Sequence, residues 1–450
     1  MTLRFGTDGI RGSDTELSPE LAVAIGRATA LALDLELGQR FVIGRDTRRS
    51  GPMLESALAA GLAAQGLHVE RLGVIPTPGV AHISAVEHVP GAVISASHNV
   101  FSDNGIKLFA PGGHKLSDAA EARLERRLDG LVGPAGAGID PVGGRAMGTV
   151  TDRPEAILDY GEHVLRAALD GRGLDGLSIV IDPAHGAASV IGPEVLARAG
   201  AKVTVIHAEP DGFNINTGCG STHPEALCRA VIDQAADLGL ALDGDADRVL
   251  AVDHEGHLVD GDQLIAVLAV DLQERGRLRG ATVVVTVMAN LGLRRGLADH
   301  GISVVETPVG DRHVLAALEE GGWSLGGEQS GHVILRDLAT TGDGLLTGLL
   351  VAEVVHRSGR TLAELAASAM TRLPQVLRAV PVPRGEPGPG TTVAAELAAV
   401  EAELGDAGRV VVRPSGTEPV VRVMVEAPTL DQAERLTERL ALAVERAARR

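Results

Sequence analysis

The sequence is short of aromatic residues, cysteine, positive charge and long apolar runs, and each shortage excludes something. Phe, Tyr and Trp together make up 2% of 450 residues, so Ala, Val and Leu must fill any core. Two cysteines, Cys219 and Cys228, cannot build a disulfide framework, and a reducing cytoplasm is the expected location. Lys and Arg number 41 against 59 Asp and Glu, a formal net charge of −18. Nucleic acid and acidic membranes both call for a basic surface and are excluded as partners. An anionic small molecule stays open, because it needs local positive groups in a cleft and no more. No apolar run approaches the roughly 20 residues that span a bilayer, and the first residues carry no apolar core of a secretory signal. A soluble intracellular protein is expected.

What is present is a large apolar fraction, 45% of the chain. A chain of this length exceeds one core and should divide into roughly three or four domains. One pattern recurs three times: an apolar strand, a helix closed by glycine, and a second apolar strand. It runs through residues 41–44, 51–65 and 68–74, then 177–182, 192–199 and 201–206, then 281–286, 291–300 and 302–305. Gly66, Gly200 and Gly301 follow the helices, as a left-handed helix end favours. Such units imply parallel sheets with right-handed crossovers. The last part differs, with short strands at 409–413 and 420–425 before an amphipathic helix from 430 onward. The fold class expected is α/β with four domains. Three are related α/β domains with mixed or parallel sheets, 1–153, 154–251 and 252–368; the fourth, 369–450, is a smaller α+β domain.

Five loops carry candidate chemistry. In the first, 92–94 reads as a buried strand, Asn104-Gly105 as a turn and 106–109 as a second strand. Between them lie Ser95, Ser97, His98, Asn99 and Asp103, with Lys107 just beyond. A serine beside an imidazole and near an ammonium group can be a nucleophile or a phosphate carrier; the same residues can also form a turn with local backbone bonds. In the second, Asp243, Asp245 and Asp247 alternate between apolar segments. Three such carboxylates repel one another unless a cation sits among them, and oxygen-only ligands favour a hard ion, Mg²⁺. A calcium-binding helix–loop–helix reading fails, since Arg248 stands where glycine is needed and His254 where glutamate is needed. Arg248 could hold a phosphate near the metal.

The third loop, 325–332, offers Glu328 and Ser330 as partners for sugar hydroxyls, among glycines that allow close approach. A glycine-rich turn is the alternative there, and His332 reads as structural. The fourth gathers Arg413, Ser415, Gly416 and Thr417, with Arg422 on the following strand. This is a phosphate cradle in which each charge-assisted bond is worth roughly 1.5–3 kcal/mol. The fifth, residues 5–12, is glycine-rich, carries Arg11, and can close on the Ser97 loop or serve as a simple entry turn.

Assembled in this order, the motifs resemble the α-D-phosphohexomutase superfamily along nearly the whole chain. The resemblance implies that Ser97 is the phosphorylated residue and joins Asp243, Asp245 and Asp247 around Mg²⁺. It implies that Glu328 and Ser330 recognise sugar, that Arg413, Ser415, Gly416 and Thr417 bind phosphate, and that Lys107 or His98 is the general base. Residues 5–12, the stretch 211–222 and Gln329 in the third loop resemble the branch acting on glucosamine phosphates. One departure is Val100, where the family usually has proline; its loss slackens the loop without removing a chemical group. The implied reaction interconverts glucosamine 6-phosphate and glucosamine 1-phosphate through a phosphoserine and a 1,6-bisphosphate, feeding UDP-N-acetylglucosamine and cell-wall synthesis. Implied partners are the sugar phosphate, a hexosamine 1,6-bisphosphate activator and a second copy of the chain in a homodimer. One loop from each domain would line a central cleft, with the last domain hinging. The rivals are the same chemistry on glucose or mannose phosphates, a metal-dependent phosphatase using Asp243 as nucleophile, and a non-catalytic sugar-phosphate sensor.

Overall fold

The structure, a computed structural model, describes residues 5–6, 9–132, 142–382, 391–414 and 419–448. The described residues form four separate sheets, three of them built on the recurring strand–helix–strand pattern. The first has the strand order Phe5–Gly6, Gly9–Ser13, Asp103–Phe109, Gly91–Ile94, Arg40–Arg45, His68–Val74, Val150–Asp152. Arg40–Arg45 pairs in parallel with both His68–Val74 and Gly91–Ile94, and Asp103–Phe109 returns antiparallel. Its central strand is buried on both faces. Phe41 and Ile43 pack with Ile25, Leu54 and Leu58 from two helices on one side. Val42 packs with Val80, Ile83 and Val93 on the other, the alternation that a pleated strand imposes.

The second sheet runs Leu258–Val259, Val249–Asp253, Leu238–Leu242, Ser178–Asp182, Lys202–Val205, and the third runs Ser303–Thr307, Thr282–Thr286, Leu325–Gly327, Val333–Leu335. In both, the strands joined through a helix are parallel and the last hairpin is antiparallel. Gly66, Gly200 and Gly301 take φ of 87°, 97° and 70°, the left-handed turn expected after each helix. The expected division at residue 251 falls inside the strand Val249–Asp253. That strand turns back through Leu258–Val259 in the same sheet, so the second unit extends beyond it. The second and third units also share one continuous core, in which Ile179, Ile181 and Leu240 join Val283, Val285 and Leu325. The helix Gly344–Ser358, buried over most of its surface, lies between them.

The fourth sheet is fully antiparallel, in the order Gln375–Pro381, Val420–Glu426, Arg409–Pro414. Val421, Val423 and Val425 face Leu436, Leu440 and Val444 of the helix Leu430–Ala448. The edge strand Gln375–Pro381 escaped the sequence reading because prolines bracket it and its apolar residues are interrupted by Arg378. A second correction concerns Asn104-Gly105, which is strand rather than turn. A Cβ at Gly105 would lie 2.3 Å from the Ser95 carbonyl oxygen, so glycine is there for close strand packing. Among the described residues no helix is long and apolar enough to cross a membrane.

The third and fourth units are joined by buried polar groups. Glu426 is fully buried and accepts from Arg409 Nη2 at 2.9 Å, Leu291 N at 2.9 Å and Gln375 Nε2 at 3.0 Å. Beside it, Asp262 accepts from Asn290 N at 2.7 Å. Burial, and then the charge of Asp260, pushes the Asp262 carboxyl up from 3.8 to about 8. The folded chain therefore keeps a proton that the unfolded chain releases, and stability falls as pH rises across that window. Asp262→Asn cannot titrate, so its stability relative to the wild type should rise from about pH 4 to about pH 8. Thermal melts across this range test it; a pH-independent difference would show that Asp262 does not hold the proton.

Candidate active site

The Ser97 loop hangs between Gly91–Ile94 and Asp103–Phe109. Ser97 is buried and takes a left-handed φ of 54°, a region that non-glycine residues seldom occupy. Its N–H donates to Ser95 Oγ at 2.9 Å, and its carbonyl accepts from Arg48 Nη2 at 3.2 Å and Asn216 Nδ2 at 2.8 Å. This conformation turns the hydroxyl toward the acidic loop, where Oγ donates to Asp243 Oδ2 at 2.7 Å.

The acidic loop joins the antiparallel strands Leu238–Leu242 and Val249–Asp253, and all three aspartates are buried. One oxygen from each lies within 4.8 Å of the others. Lys107, itself buried in Asp103–Phe109, donates from Nζ to Asp245 Oδ2 at 2.8 Å and to Asp247 Oδ2 at 3.2 Å. Thr77 Oγ1 donates to Asp245 Oδ2 at 2.5 Å. Burial and the charges of Asp247 and Asp245 push Asp243 well above the usual carboxylate range. Burial acts the same way on Asp247, but Lys107, His332 and Arg248 outweigh it and hold that carboxyl well below the range. Asp245 Oδ1 is buried and accepts no hydrogen bond. Asp247 Oδ1 is left over in the same way, and three convergent hard carboxylates with two spare acceptors fit a divalent cation, as the alternation of the aspartates suggested.

His98 places Nδ1 3.4 Å from Ser97 Oγ and 3.1 Å from Arg248 Nη1. Burial, then Arg248 and Arg11, pull its pKa down to about 4, so the imidazole is neutral near pH 7. Arg11 sits on Gly9–Ser13 opposite Gly105, which brings its segment against the Ser97 loop; Thr7 and Asp8 lie outside the described residues. Arg248 approaches Asp247 Oδ1 at 3.7 Å through Nε.

The third loop is a hairpin between Leu325–Gly327 and Val333–Leu335, seated on the acidic loop's outgoing strand. Val249 N donates to Gly331 O at 3.1 Å, and a Cβ on Gly331 would meet the Val249 carbonyl at 2.1 Å. Glu328 Oε1 accepts from Gly310 N at 3.1 Å, and Ser330 is exposed at the tip. His332, read as structural, is buried with Nδ1 3.7 Å from Asp247 Oδ1. It therefore belongs with the acidic cluster. Arg413 and Arg422 face each other across the Arg409–Pro414 and Val420–Glu426 pair. Burial and the Arg422 charge lower the Arg413 pKa, and Glu328 opposes the shift, which ties this pair to the hairpin. Two adjacent guanidinium groups are stabilised by an anion between them. Ser415, Gly416 and Thr417 lie outside the described residues.

The sequence reading missed Thr77, Arg48 and Asn216. Only Asn216 left a signal, since it lies in the stretch 211–222 that carried the resemblance without a physical account.

Four family profiles match the chain. They are the phosphoglucomutase/phosphomannomutase α/β/α domain I over residues 2–131, domain II over 159–256, domain III over 260–373, and the C-terminal domain over 365–443. The phosphoglucosamine mutase of Saccharopolyspora erythraea is 53% identical over 447 residues, covering 98% of this chain and 98% of the relative. The chain belongs to the phosphoglucomutase/phosphomannomutase family. A phosphoglucosamine mutase from Acidothermus cellulolyticus is 55% identical over 449 residues, covering 98% of this chain and 95% of that one. A phosphoglucomutase/phosphomannomutase family protein from Burkholderia thailandensis shares the fold with a TM-score of 0.80 at 25% identity, over 98% of this chain and 97% of that one.

In this family member the Ser97 loop and the acidic loop touch at Gly244. A Cβ there would stand 2.7 Å from both the Ser97 carbonyl oxygen and Asn216 Nδ2. Gly244→Ala should therefore lower the unfolding free energy by about 1–3 kcal/mol through overpacking. Urea denaturation measures it, and an unchanged midpoint would mean that the loops have room to part.

Proposed function

We propose that the protein interconverts glucosamine 6-phosphate and glucosamine 1-phosphate, with Ser97 as the residue that carries the phosphoryl group. The observation that carries this reading is the 2.7 Å contact from Ser97 Oγ to Asp243 inside a buried acid cluster balanced by Lys107. Relatives more than half identical over nearly the whole chain, both named phosphoglucosamine mutase, favour the amino sugar over glucose or mannose.

Phosphorylated Ser97 gives its phosphoryl group to the free oxygen of the sugar phosphate. The Ser97 Oγ–P bond breaks, a new P–O bond forms, and the proton that the sugar hydroxyl loses ends on the departing Ser97 Oγ. The resulting 1,6-bisphosphate turns end for end, and Ser97 takes back the other phosphoryl group. His98, neutral and within reach of Ser97 Oγ, is the better base of the two candidates. Lys107 is held between two carboxylates and serves as a fixed positive charge. Asp243, Asp245 and Asp247, with a seryl phosphate oxygen, would hold Mg²⁺, which supplies charge stabilisation for the transferring group. Arg11 and Arg248 face the same phosphoryl group. Glu328 and Ser330 meet the sugar, and Arg413 and Arg422, with Ser415, Gly416 and Thr417, grip the phosphate that is not reacting. That grip must serve both orientations of the bisphosphate, which suits charge contacts better than a shaped sugar pocket. We place the divisions between the four domains near residues 153, 259 and 368. The cytoplasm is the fitting location, where the bisphosphate would also serve as activator.

Incubation with glucosamine 1,6-bisphosphate should add one phosphate to the wild type by intact mass and none to Ser97→Ala, which should lose mutase turnover while remaining folded. Wild-type rates in Ser97→Ala would falsify the role of that hydroxyl. Coupled assays on glucosamine, glucose and mannose phosphates should rank glucosamine first. Mg²⁺ should raise the melting temperature of the wild type, whereas Asp245→Ala should lose that rise; an equal rise in both would remove Asp245 from the metal site.

A further inference from the structure

The stretch 211–222 supplies no group to the reaction above, yet it is densely bonded. Asp211 Oδ1 accepts from Phe213 N at 2.7 Å and Asn214 N at 2.9 Å. Gly220 N donates to Asp182 Oδ2 at 2.9 Å, and the other oxygen of Asp182 accepts from Ala184 N at 2.9 Å. His207 Nδ1 lies 2.8 Å from the same carboxylate. Asp182 ends a central strand of the second sheet, so the stretch is pinned to the body that carries the acidic loop. Between these anchors Asn216 takes a left-handed φ of 57°, and its N–H donates to Ala184 O at 3.0 Å.

The Asn216 side chain is buried and leaves its own unit. Nδ2 donates to Ser97 O at 2.8 Å and to Asn99 O at 2.8 Å. From the first unit, Arg48 grips the same two carbonyls at 3.2 and 2.8 Å, and also Val100 O, with its charge balanced by Asp46 at 2.9 Å. These bonds stiffen the loop from outside at the place where Val100 replaces the stiffening proline. They also hold Ser97 in a φ that would relax if released.

We infer that Asn216 is a positioning residue for phosphoryl transfer: its carboxamide ties the Ser97 backbone to the domain that bears the acid trio. The distance from Ser97 Oγ to Asp243 then stays constant when domains shift, because both ends of that distance are fastened to the second unit. An amide nitrogen suits the task, since one atom carries two donors for two carbonyls, and asparagine tolerates the left-handed backbone. The inference rests on the phosphoserine reading.

Two substitutions tolerate the left-handed backbone: Asn216→Gly deletes both donors, and Asn216→Asp leaves at most one. With saturating Mg²⁺ and glucosamine 1,6-bisphosphate, both should lower kcat about tenfold to a hundredfold, the scale of a misplaced reacting group. The KM for glucosamine 6-phosphate should stay within about twofold, because ground-state binding is untouched. A cooperative melt near that of the wild type establishes folding. Wild-type kcat in either folded variant overturns the inference, and so does a loss carried by KM alone. Intact mass of the same preparations separates the two readings. Wild type that never gains phosphate removes the phosphoserine itself, whereas wild type that gains it beside unimpaired variants removes only the role of Asn216.

Discussion

Three buried carboxylates within 4.8 Å of one another are the constraint on which the site depends. Such a cluster is unfavourable unless its charge is met, and this chain meets it from several directions. Lys107 comes from the first sheet, Arg248 from the acidic loop itself, and His332 from the hairpin of the third unit. Because the compensating charges come from different units, those units must dock for the aspartates to be buried. The electrostatics of the site and the assembly of the domains are one problem.

The same logic explains why glycine is concentrated at the loop contacts. Backbone meets backbone at Gly244, Gly105 and Gly331, where a Cβ would stand 2.1–2.7 Å from a carbonyl oxygen. Close approach lets short side chains such as Ser97 and Asp243 reach each other, which bulkier packing would prevent. The cost of the left-handed Ser97 backbone is met by hydrogen bonds from Arg48 and Asn216, residues more than 45 positions away in either direction.

Much of the architecture could be read in advance. Strand-like runs of four to seven residues, spaced by helix-length segments ending in Gly66, Gly200 and Gly301, announced the parallel pairs, and the valines of 420–425 announced the last sheet. The reading failed where a local signal had a non-local cause. Asn104-Gly105 looked like a turn because that pair favours turns, but its glycine serves the packing of Ser95. Gln375–Pro381 gave no strand signal because Arg378 interrupts its apolar residues and prolines stand at its ends. His332 is buried and accepts from Gly342 N at 3.2 Å, in keeping with its structural reading, but no neighbour in sequence shows that its other ring nitrogen faces Asp247 at 3.7 Å.

By itself the sequence determined which chemical groups exist and how they are grouped: a serine beside a histidine, three alternating aspartates, and two arginines on successive short strands. Those groupings are local, since side chains a few residues apart share a loop whatever the fold does. The tertiary structure decided which groups meet. Lys107 and Asp245 are 138 residues apart and Ser97 and Asn216 are 119 apart. Contacts at that separation arise from how sheets and shared cores dock, and no short-range pattern encodes them.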